Sequence, residues 1–262
     1  AYEIYQCDWS SDVCSSDLAG VLHDASGGYY TTAATSGGVD QAGHPSNKWG
    51  WGISPGIRIN TPFIAAGDYF VAVASWTQGA AAWATSTNSQ SKAIWNGQTV
   101  AFGMITDGVY GGSVAGGNAS DVQLTTAWSV AAAYEHFWTP NLHSSFYGSY
   151  LKVSHNDAAK ALICAATGPT TATAFTSTVA NGCNPDFSMW NVGSRAQWDV
   201  TKGLYLGVDV LYTRLNTAVV NSAGTLTYAV SDQKQSGKLA GVYSTGDQSA
   251  WTAAFQIGRA HV

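Results

Sequence analysis

The sequence contains few charged residues. Asp, Glu, Lys and Arg occupy 10% of its 262 positions, against roughly 25% in ordinary soluble domains. It also has no apolar run near the ~20 residues that a membrane-spanning helix requires. The first deficit argues against a soluble globular protein, and the second argues against a helical membrane protein. The chain is instead rich in aromatic residues, which make up 12% of it and include 11 Trp.

Basic residues and chemical motifs are scarce as well. The chain carries 11 Lys and Arg against 16 Asp and Glu, and without a polybasic segment we expect no nucleic-acid partner. No nucleophile elbow, phosphate-binding glycine loop or metal-binding spacing is present. The histidines outside the C-terminal tail show no metal spacing either: His23, His44, His136, His143 and His155. We therefore expect no enzymatic activity, no cofactor and no metal.

Apolar side chains recur at every second position, which is the period of a β-strand. In residues 49–60 the odd positions hold Trp, Ile and Pro, whereas the even positions hold Gly, Ser, Arg and Asn. Residues 123–138 and 189–210 show the same separation, so each strand has one apolar and one polar face. The apolar face could meet a protein core or lipid. Residues 69–78 are apolar on both rows, which fits either a protein contact or a buried lumen side.

Short and long connections alternate along the chain. The short turns are residues 61–68, 139–142 and 201–203. The long connections, rich in Gly, Ser, Asn and Thr, are residues 31–48, 80–98, 156–187 and 216–248. This asymmetry is typical of outer-membrane barrels. For the alternation to continue, residues 99–122 must contain another turn, which we place at Thr-Asp-Gly 106–108. We predict an all-β protein, an antiparallel transmembrane β-barrel with about ten visible strands.

Charged residues on the polar rows are the candidates for lining a channel, because they would face water and set a local field. These candidates are Arg58, Glu135, Arg195, Asp199 and Asp209. The alternative is a solvated wall with no effect on selectivity. Because both signs of charge occur, we expect no strong ion preference.

Aromatic residues near strand ends predict the interfacial girdles of a barrel. They are Trp49, Trp51, Trp138, Trp198, Tyr205 and Tyr212. In a soluble β-sandwich, core aromatics would instead lie in the middle of strands. Trp138 and Trp198 stand immediately before turns, which favours the girdle.

Two cysteines, Cys164 and Cys183, lie in one long connection. A disulfide between them would stabilise the fold by about 3 kcal/mol and would suit an oxidising compartment. Free thiols are the alternative.

The two ends of the sequence resemble translated sequencing adapter. Codons GAC GTG TGC TCT TCC GAT CT encode residues 12–18, and their reverse complement encodes the final residues, 256–262. We therefore interpret residues 1–18 and 257–262 as non-native and exclude them from fold reasoning. The remaining segment, residues 19–256, has a formal charge of about −2 and one recognisable domain.

Residues 47–60, 121–153, 182–215 and 247–255 resemble general porins of α-proteobacterial outer membranes. The resemblance covers most of residues 19–255 and is densest in the second half. It implies a sixteen-stranded homotrimeric barrel in the bacterial outer membrane, in contact with lipid, through which small hydrophilic solutes diffuse. Residues 19–256 would be a fragment of that barrel, without its first strands, its last strand and its constriction loop. No constriction residue is therefore carried over from the family.

Three hypotheses follow from these patterns. The first is a passive channel with no chemical step, whose apolar faces touch lipid and whose polar faces surround water. The second is a soluble β-sandwich or lectin-like binding module, which requires short strands and polar outer faces. The third is an outer-membrane barrel enzyme, which requires a Ser, His and Asp cluster at one rim.

Overall fold

The computed structural model of the protein describes residues 14–30, 43–85, 91–112, 117, 119–165, 183–218, 227–230 and 241–259. Within them the chain forms strands β1 (Cys14–Ala25), β2 (Lys48–Asn60), β3 (Tyr69–Gln78), β4 (Ser91–Asn96), β5 (Thr99–Met104), β6 (Gly108–Val109), β7 (Gln123–Leu124), β8 (Thr126–Thr139), β9 (Leu142–Ser154), β10 (Phe187–Thr201), β11 (Leu204–Asn216), β12 (Thr227–Val230), β13 (Gly241–Thr245) and β14 (Gln248–Arg259). Two short helices, α1 (Ala81–Thr85) and α2 (Asp157–Ala165), interrupt them. No helix in these ranges is long and apolar enough to cross a membrane.

One antiparallel sheet of eight strands dominates the fold, in the order β1-β2-β3-β8-β9-β10-β11-β14. We call it the main sheet. Its strands have 10 to 15 residues, which is long enough for a tilted strand to cross a bilayer. The all-β antiparallel prediction is confirmed, as are the hairpin of β8 with β9 and that of β10 with β11.

The register of the main sheet sorts its side chains onto two faces, because directly paired residues point to the same side and successive residues alternate. Glu135 pairs with Tyr69 and Ser145, and Ser145 pairs with Arg195. Arg195 in turn pairs with Asp209. These residues define the polar face. The opposite face, which carries the exposed tryptophans, is the apolar face.

The connection between β3 and β8 departs from the sequence-based prediction. β3 pairs with β8 along its whole length, from Tyr69 with Glu135 to Gln78 with Thr126. Residues 79–125 therefore leave and re-enter the main sheet at the same end. The prediction of two further barrel strands in residues 99–122 is wrong, because β4 and β5 pair with each other and join a separate small sheet with β12 and β13. The main sheet has eight strands rather than ten for this reason.

The described parts of this connection, residues 79–85, 91–112, 117 and 119–125, fold back over the polar face instead. The Trp83 indole donates a 2.7 Å hydrogen bond to the Ser54 hydroxyl of β2, and Asp107 lies 3.1 Å from His23 of β1. At the far side β4 contacts β14, and β5 contacts β10, β11 and β14. The resemblance implies a fragment without the constriction loop and gives no prediction of this inward-folded connection. We call the described parts of residues 79–125 the crossing segment.

The hydrophobic core lies under the crossing segment, at the long-connection end of the main sheet. Phe102 and its neighbours in β5 pack against polar-face positions of the main strands. Those positions are Ala127, Leu151, Val153, Phe187 and Leu215. A disulfide joins Cys164 at the end of α2 to Cys183 before β10, and both cysteines belong to this core.

Both termini of the described chain lie in strands. Residues 14–18 pair with β2, and residues 257–259 pair with β11. The non-native origin of residues 1–18 and 257–262 stays a prediction, and residues 1–13 and 260–262 lie outside the described ranges. Much of the predicted long connections lies outside them too.

Candidate functional site: the polar face of the main sheet

The polar face carries a hydrogen-bonded cluster of charged side chains near the short turns. His143 donates from Nδ1 to the carboxylate of Glu135, and its Nε2 lies 3.5 Å from Asp199. Glu135 is on β8, His143 on β9 and Asp199 on β10, so the cluster ties three neighbouring strands together. We call these three residues the histidine cluster.

Arg195 lies beside the histidine cluster, on the same face. Its guanidinium donates to the amide oxygens of Gln197 at 2.7 Å and Gln256 at 3.1 Å. Tyr147 donates to Asp209, the residue that pairs with Arg195 across β10 and β11. Among the described residues no carboxylate forms an ion pair with Arg195, and its guanidinium is held by neutral amides.

Arg58 occupies the other side of the polar face, on β2. It donates a 3.1 Å hydrogen bond to Asn60 and lies 4.0 Å from the centre of the Tyr69 ring. All five channel-lining candidates therefore project from one face. Both signs of charge occur on this face, and β10 carries one of each, Arg195 and Asp199.

A cavity of about 530 Å³ lies on the polar face at mid-height. Its lining combines Asp17 and Arg58 with Val71, Val73 and Tyr147. The second apolar row of residues 69–78, which includes Val71 and Val73, thus lies on the polar face beside this cavity. A smaller cavity of about 230 Å³ lies between Glu135, His143 and Arg195.

Nearly all the exposed large hydrophobic side chains of the main sheet lie on the apolar face. By strand parity, Val73 is the one exposed large hydrophobic residue of the described main strands that belongs to the polar face. The others are Leu18, Leu22, Trp49, Trp51, Ile53, Ile57, Trp76, Val130, Trp138, Leu142, Phe146, Val192, Trp198, Val208, Val210, Trp251, Phe255 and Ile257. An exposed apolar surface of this extent marks an interface with lipid or another protein.

Comparison with known proteins gives a family that fits this division. Residues 11–252 match the family described as Porin subfamily. The chain belongs to the porin subfamily. This membership places the porin in the bacterial outer membrane. No curated protein matches the sequence.

One solved structure resembles this porin in its fold, the outer membrane channel DcaP of Acinetobacter baumannii. The two chains are 11% identical and align with a TM-score of 0.44. The alignment covers 93% of the porin and 47% of that channel. The porin thus spans about half the length of that protein.

The soluble β-sandwich alternative requires a second sheet packed on the apolar face. Within the described ranges, the small sheet of β4, β5, β12 and β13 contacts the main sheet through the core on the polar side. The alternative is therefore unsupported. In the same part of the chain, the buried His155 Nε2 has no hydrogen-bond partner. The same ranges contain no cluster of His, Cys, Asp and Glu suited to a metal ion.

Aromatic side chains line the apolar face of the porin near the long-connection end. Trp76 pairs with Trp128, Tyr150 with Trp190, and Tyr212 with Trp251. Ring centres of Trp128 and Tyr150, Trp190 and Tyr212, and Tyr212 and Trp251 are 4.9 to 5.2 Å apart. Six consecutive strands thus share one aromatic row, of which the sequence analysis named only Tyr212. The other five aromatic residues could have been identified from the sequence, since each lies on an apolar row.

The other aromatic candidates divide between the two faces. Trp49 and Trp51 lie on the apolar face at the long-connection end, and Trp138 and Trp198 lie on it beside the short turns. The interfacial assignment of Tyr205 is wrong. Tyr205 pairs with Asp199 on the polar face, with its ring 6.0 Å from the Arg195 guanidinium, because it follows the turn at an odd position of β11.

Asp68, which the sequence analysis did not single out, closes the turn between β2 and β3. Its carboxylate accepts hydrogen bonds from Tyr134 and His136, both at 2.7 Å, and from the Phe137 amide at 2.8 Å. Burial raises the pKa of Asp68, but these donors outweigh it and hold the pKa below its ordinary value. No local motif reveals this site, because the donors lie on β8, far along the chain.

A second carboxylate, Asp186, fixes the long-connection end. It accepts hydrogen bonds from the His155 amide at 2.8 Å and pairs with Lys160 of α2 at 2.8 Å. Burial raises the pKa of Asp186, but the hydrogen bonds from His155 and Lys160 outweigh burial. The net pKa therefore lies below the ordinary value. This contact holds α2 against the segment that carries the disulfide.

Proposed function

We propose that this porin contributes to a water-filled channel through which small hydrophilic solutes and ions diffuse passively, with no chemical step. The observation that carries the proposal is the segregation of the main sheet. Arg58, Glu135, Arg195, Asp199 and Asp209 share one face, while the exposed tryptophans share the other. Water on the first face and hydrocarbon on the second satisfy both sets of side chains.

The spacing of the aromatic residues supports the membrane assignment of the apolar face. Trp128 and Trp138 are ten residues apart on β8, which is about 33 Å along a strand and about 25 Å in height at a barrel tilt of ~40°. This height matches the apolar band of an outer-membrane barrel. We therefore assign these tryptophans, with Trp49, Trp51, Trp198 and Tyr212, to the two membrane interfaces.

The crossing segment would narrow the channel. It lies over the polar face and is held there from two sides, by Ser54 on β2 and by the contacts of β5 with β10 and β11. A solute moving along the polar face would pass this segment and then the histidine cluster. We propose that the crossing segment sets the width, and that Arg195, Glu135 and Asp199 set the local field.

Single-channel recording in planar bilayers tests the proposal. We expect discrete conductance steps. In a KCl gradient, the reversal potential of Arg195→Gln should shift in the direction of greater cation selectivity, and that of Glu135→Gln in the direction of greater anion selectivity. The matched control is Lys202→Gln in the turn after β10, which should leave the reversal potential unchanged. Absence of any channel event from correctly folded protein would remove the proposal.

We further infer that the chain is part of a longer, homotrimeric porin from an α-proteobacterium, as the resemblance implies. The edge strands β1 and β14 each pair with one neighbour in the main sheet of the described chain, which leaves room for additional strands. Sequencing the genomic reading frame across residues 18 and 256 tests the first point. Native mass spectrometry of the parent protein tests the trimer.

A further inference from the structure

We propose that the turn formed by residues 61–68 is a lipid anchor, which inserts Phe63 and Ile64 into the headgroup region of the leaflet at the short-turn end. The proposal rests on the proposed channel, because that function places the apolar face in a bilayer. It goes further in assigning a connection, rather than a strand, to contact with lipid.

The turn differs from the other two short turns in its chemistry. The turns after β8 and β10 consist of Pro140 with Asn141 and of Lys202 with Gly203, whereas residues 62–66 are Pro, Phe, Ile, Ala and Ala. Phe63 is 79% exposed and Ile64 is 57% exposed. Two large apolar side chains side by side at the tip of a turn are unfavourable in water.

The turn is nevertheless well ordered by its own hydrogen bonds. The Thr61 amide donates to the Asp68 carbonyl at 2.8 Å, and the Ile64 amide donates to the Thr61 carbonyl at 2.9 Å. The Asp68 amide closes the other side by donating to Ala65 at 3.1 Å. Phe63 and Ile64 are thus held in an exposed position, so little conformational entropy remains to be lost when they meet a partner.

The Asp68 carboxylate attaches the turn to the neighbouring strand β8. Asp68 is only 1% exposed, and both side chains that donate to it, Tyr134 and His136, belong to the apolar row of β8. The His136 ring packs edge-on against Trp138, with centroids 4.3 Å apart. Asp68 therefore attaches the base of the turn to side chains of the apolar face, while Gly67 lies against Phe137 of the polar face.

Continuity with the apolar face identifies lipid as the partner. Trp138 is 61% exposed beside the turn, and Ile57 and Leu142 are exposed on the flanking strands. Trp138 also donates from its indole nitrogen to Ser144 at 2.8 Å, which leaves the ring itself uncovered. Phe63 and Ile64 extend this surface past the strand ends, to the depth where bilayers accept aromatic rings.

Spin-label accessibility in vesicles of phosphatidylethanolamine and phosphatidylglycerol tests the proposal. The nitroxide is attached at Phe63→Cys in a Cys7→Ser, Cys14→Ser background, without reductant. Asn141→Cys in the polar turn is the matched control, and Phe146→Cys on the exposed apolar face is the lipid reference. We expect collisions with oxygen, relative to a water-soluble nickel complex, to be severalfold more frequent at position 63 than at position 141.

A label at position 63 that behaves like the one at position 141 would overturn the proposal. A label shielded from both reagents would also overturn it, because it would indicate a protein partner or a second copy. Conductance of the same samples separates the two proposals. An active channel with a water-exposed label contradicts the anchor alone, and a lipid-exposed label without conductance contradicts the channel alone.

A second measurement uses Phe63→Ser combined with Ile64→Ser. These side chains make few contacts within the protein, so the fold should persist. We expect the equilibrium constant for folding into the same vesicles to fall about tenfold or more, since each apolar side chain loses its transfer from water. Asn141→Ser combined with Lys202→Ser is the control, and an equal loss in both pairs would contradict the anchor.

Discussion

The polar face of the main sheet differs between its two ends: it is buried in a core at one end and lines a cavity at the other. At the long-connection end this face carries Val153, Phe187 and Leu215, which pack under the crossing segment and are buried. At the short-turn end it carries the histidine cluster and Arg195, which form hydrogen bonds beside an open cavity. A single strand such as β10 thus changes along its length from lining a protein core to lining a cavity.

This difference separates stability from selectivity. Burial of apolar side chains and the disulfide concentrate the stabilising contacts at the long-connection end. The charged groups at the other end are spread over β8, β9 and β10, where in the proposed channel they would set the local field. We therefore expect substitutions at the first end to change the free energy of unfolding, and substitutions at the second to change ion preference.

The largest expected effect is that of Leu215→Ala, which leaves a cavity where the side chain is now fully buried. We expect the free energy of unfolding to fall by about 2–5 kcal/mol, measured by urea titration in vesicles. Leu206→Ala, the same change on the apolar face of β11, is the control and should cost much less. Equal losses would show that the long-connection end has no special core.

Removing the disulfide should have the next largest effect. Cys164 and Cys183 are 19 positions apart, and releasing a loop of this length costs about 3 kcal/mol. The variant to test combines Cys164→Ser with Cys183→Ser. Its control is Cys14→Ser, which removes a free thiol instead of a disulfide. The reversal potential should remain that of the unmodified porin. A shifted reversal potential would mean that the two ends are coupled.

Acidification should weaken both ends, through different carboxylates. The pKa values of Asp68 and Asp186 lie below the ordinary 3.8, so their stabilisation is present above pH 3.8 and is lost as the pH falls through the lower folded values. Asp186→Asn should flatten this acid dependence at the long-connection end, and Asp68→Asn at the short-turn end. Unfolding titrations between pH 2 and pH 7, roughly spanning that window, measure it.

In these titrations the unmodified porin should show little change between neutral pH and about pH 5. An acid dependence in Asp68→Asn as steep as in the unmodified protein would contradict the role of the turn carboxylate.

The smallest effect is expected at an exposed ion pair of the long-connection end. Arg214 lies 3.2 Å from Asp247, and both side chains are exposed. A double-mutant cycle with Arg214→Gln and Asp247→Asn should give a coupling of about 0.5 kcal/mol or less. A larger value would mean that surface charges, and not only the core, distinguish this end.

Strand type and strand face could be predicted from the sequence, because both depend on a period of two residues. Alternation correctly separated Arg195 from Trp198 on β10 and placed Asp209 on the polar row of β11. It also contained the correct face of Tyr205, which follows from its odd position. The error there came from treating proximity to a turn as stronger evidence than parity.

Contacts between distant segments could not be predicted in this way. The pairing of β3 with β8 depends on register across a long separation, and the rule of alternating connections assumed that every long segment returns as a barrel strand. Asp68 is likewise defined by Tyr134, His136 and Phe137, none of which is near it in sequence. Hydrophobic periodicity reports the face of a strand but not its partner.

A hydrogen bond joins the first and last residues of the crossing segment: the Gly79 amide donates to the Thr125 carbonyl at 2.8 Å. The pairing of Gln78 with Thr126 just below that bond does not depend on how many residues lie between them. The segment can therefore be regarded as a loop inserted between two strands that pair without it. A change in its length or composition would alter the space over the polar face without shifting the register of any strand of the main sheet.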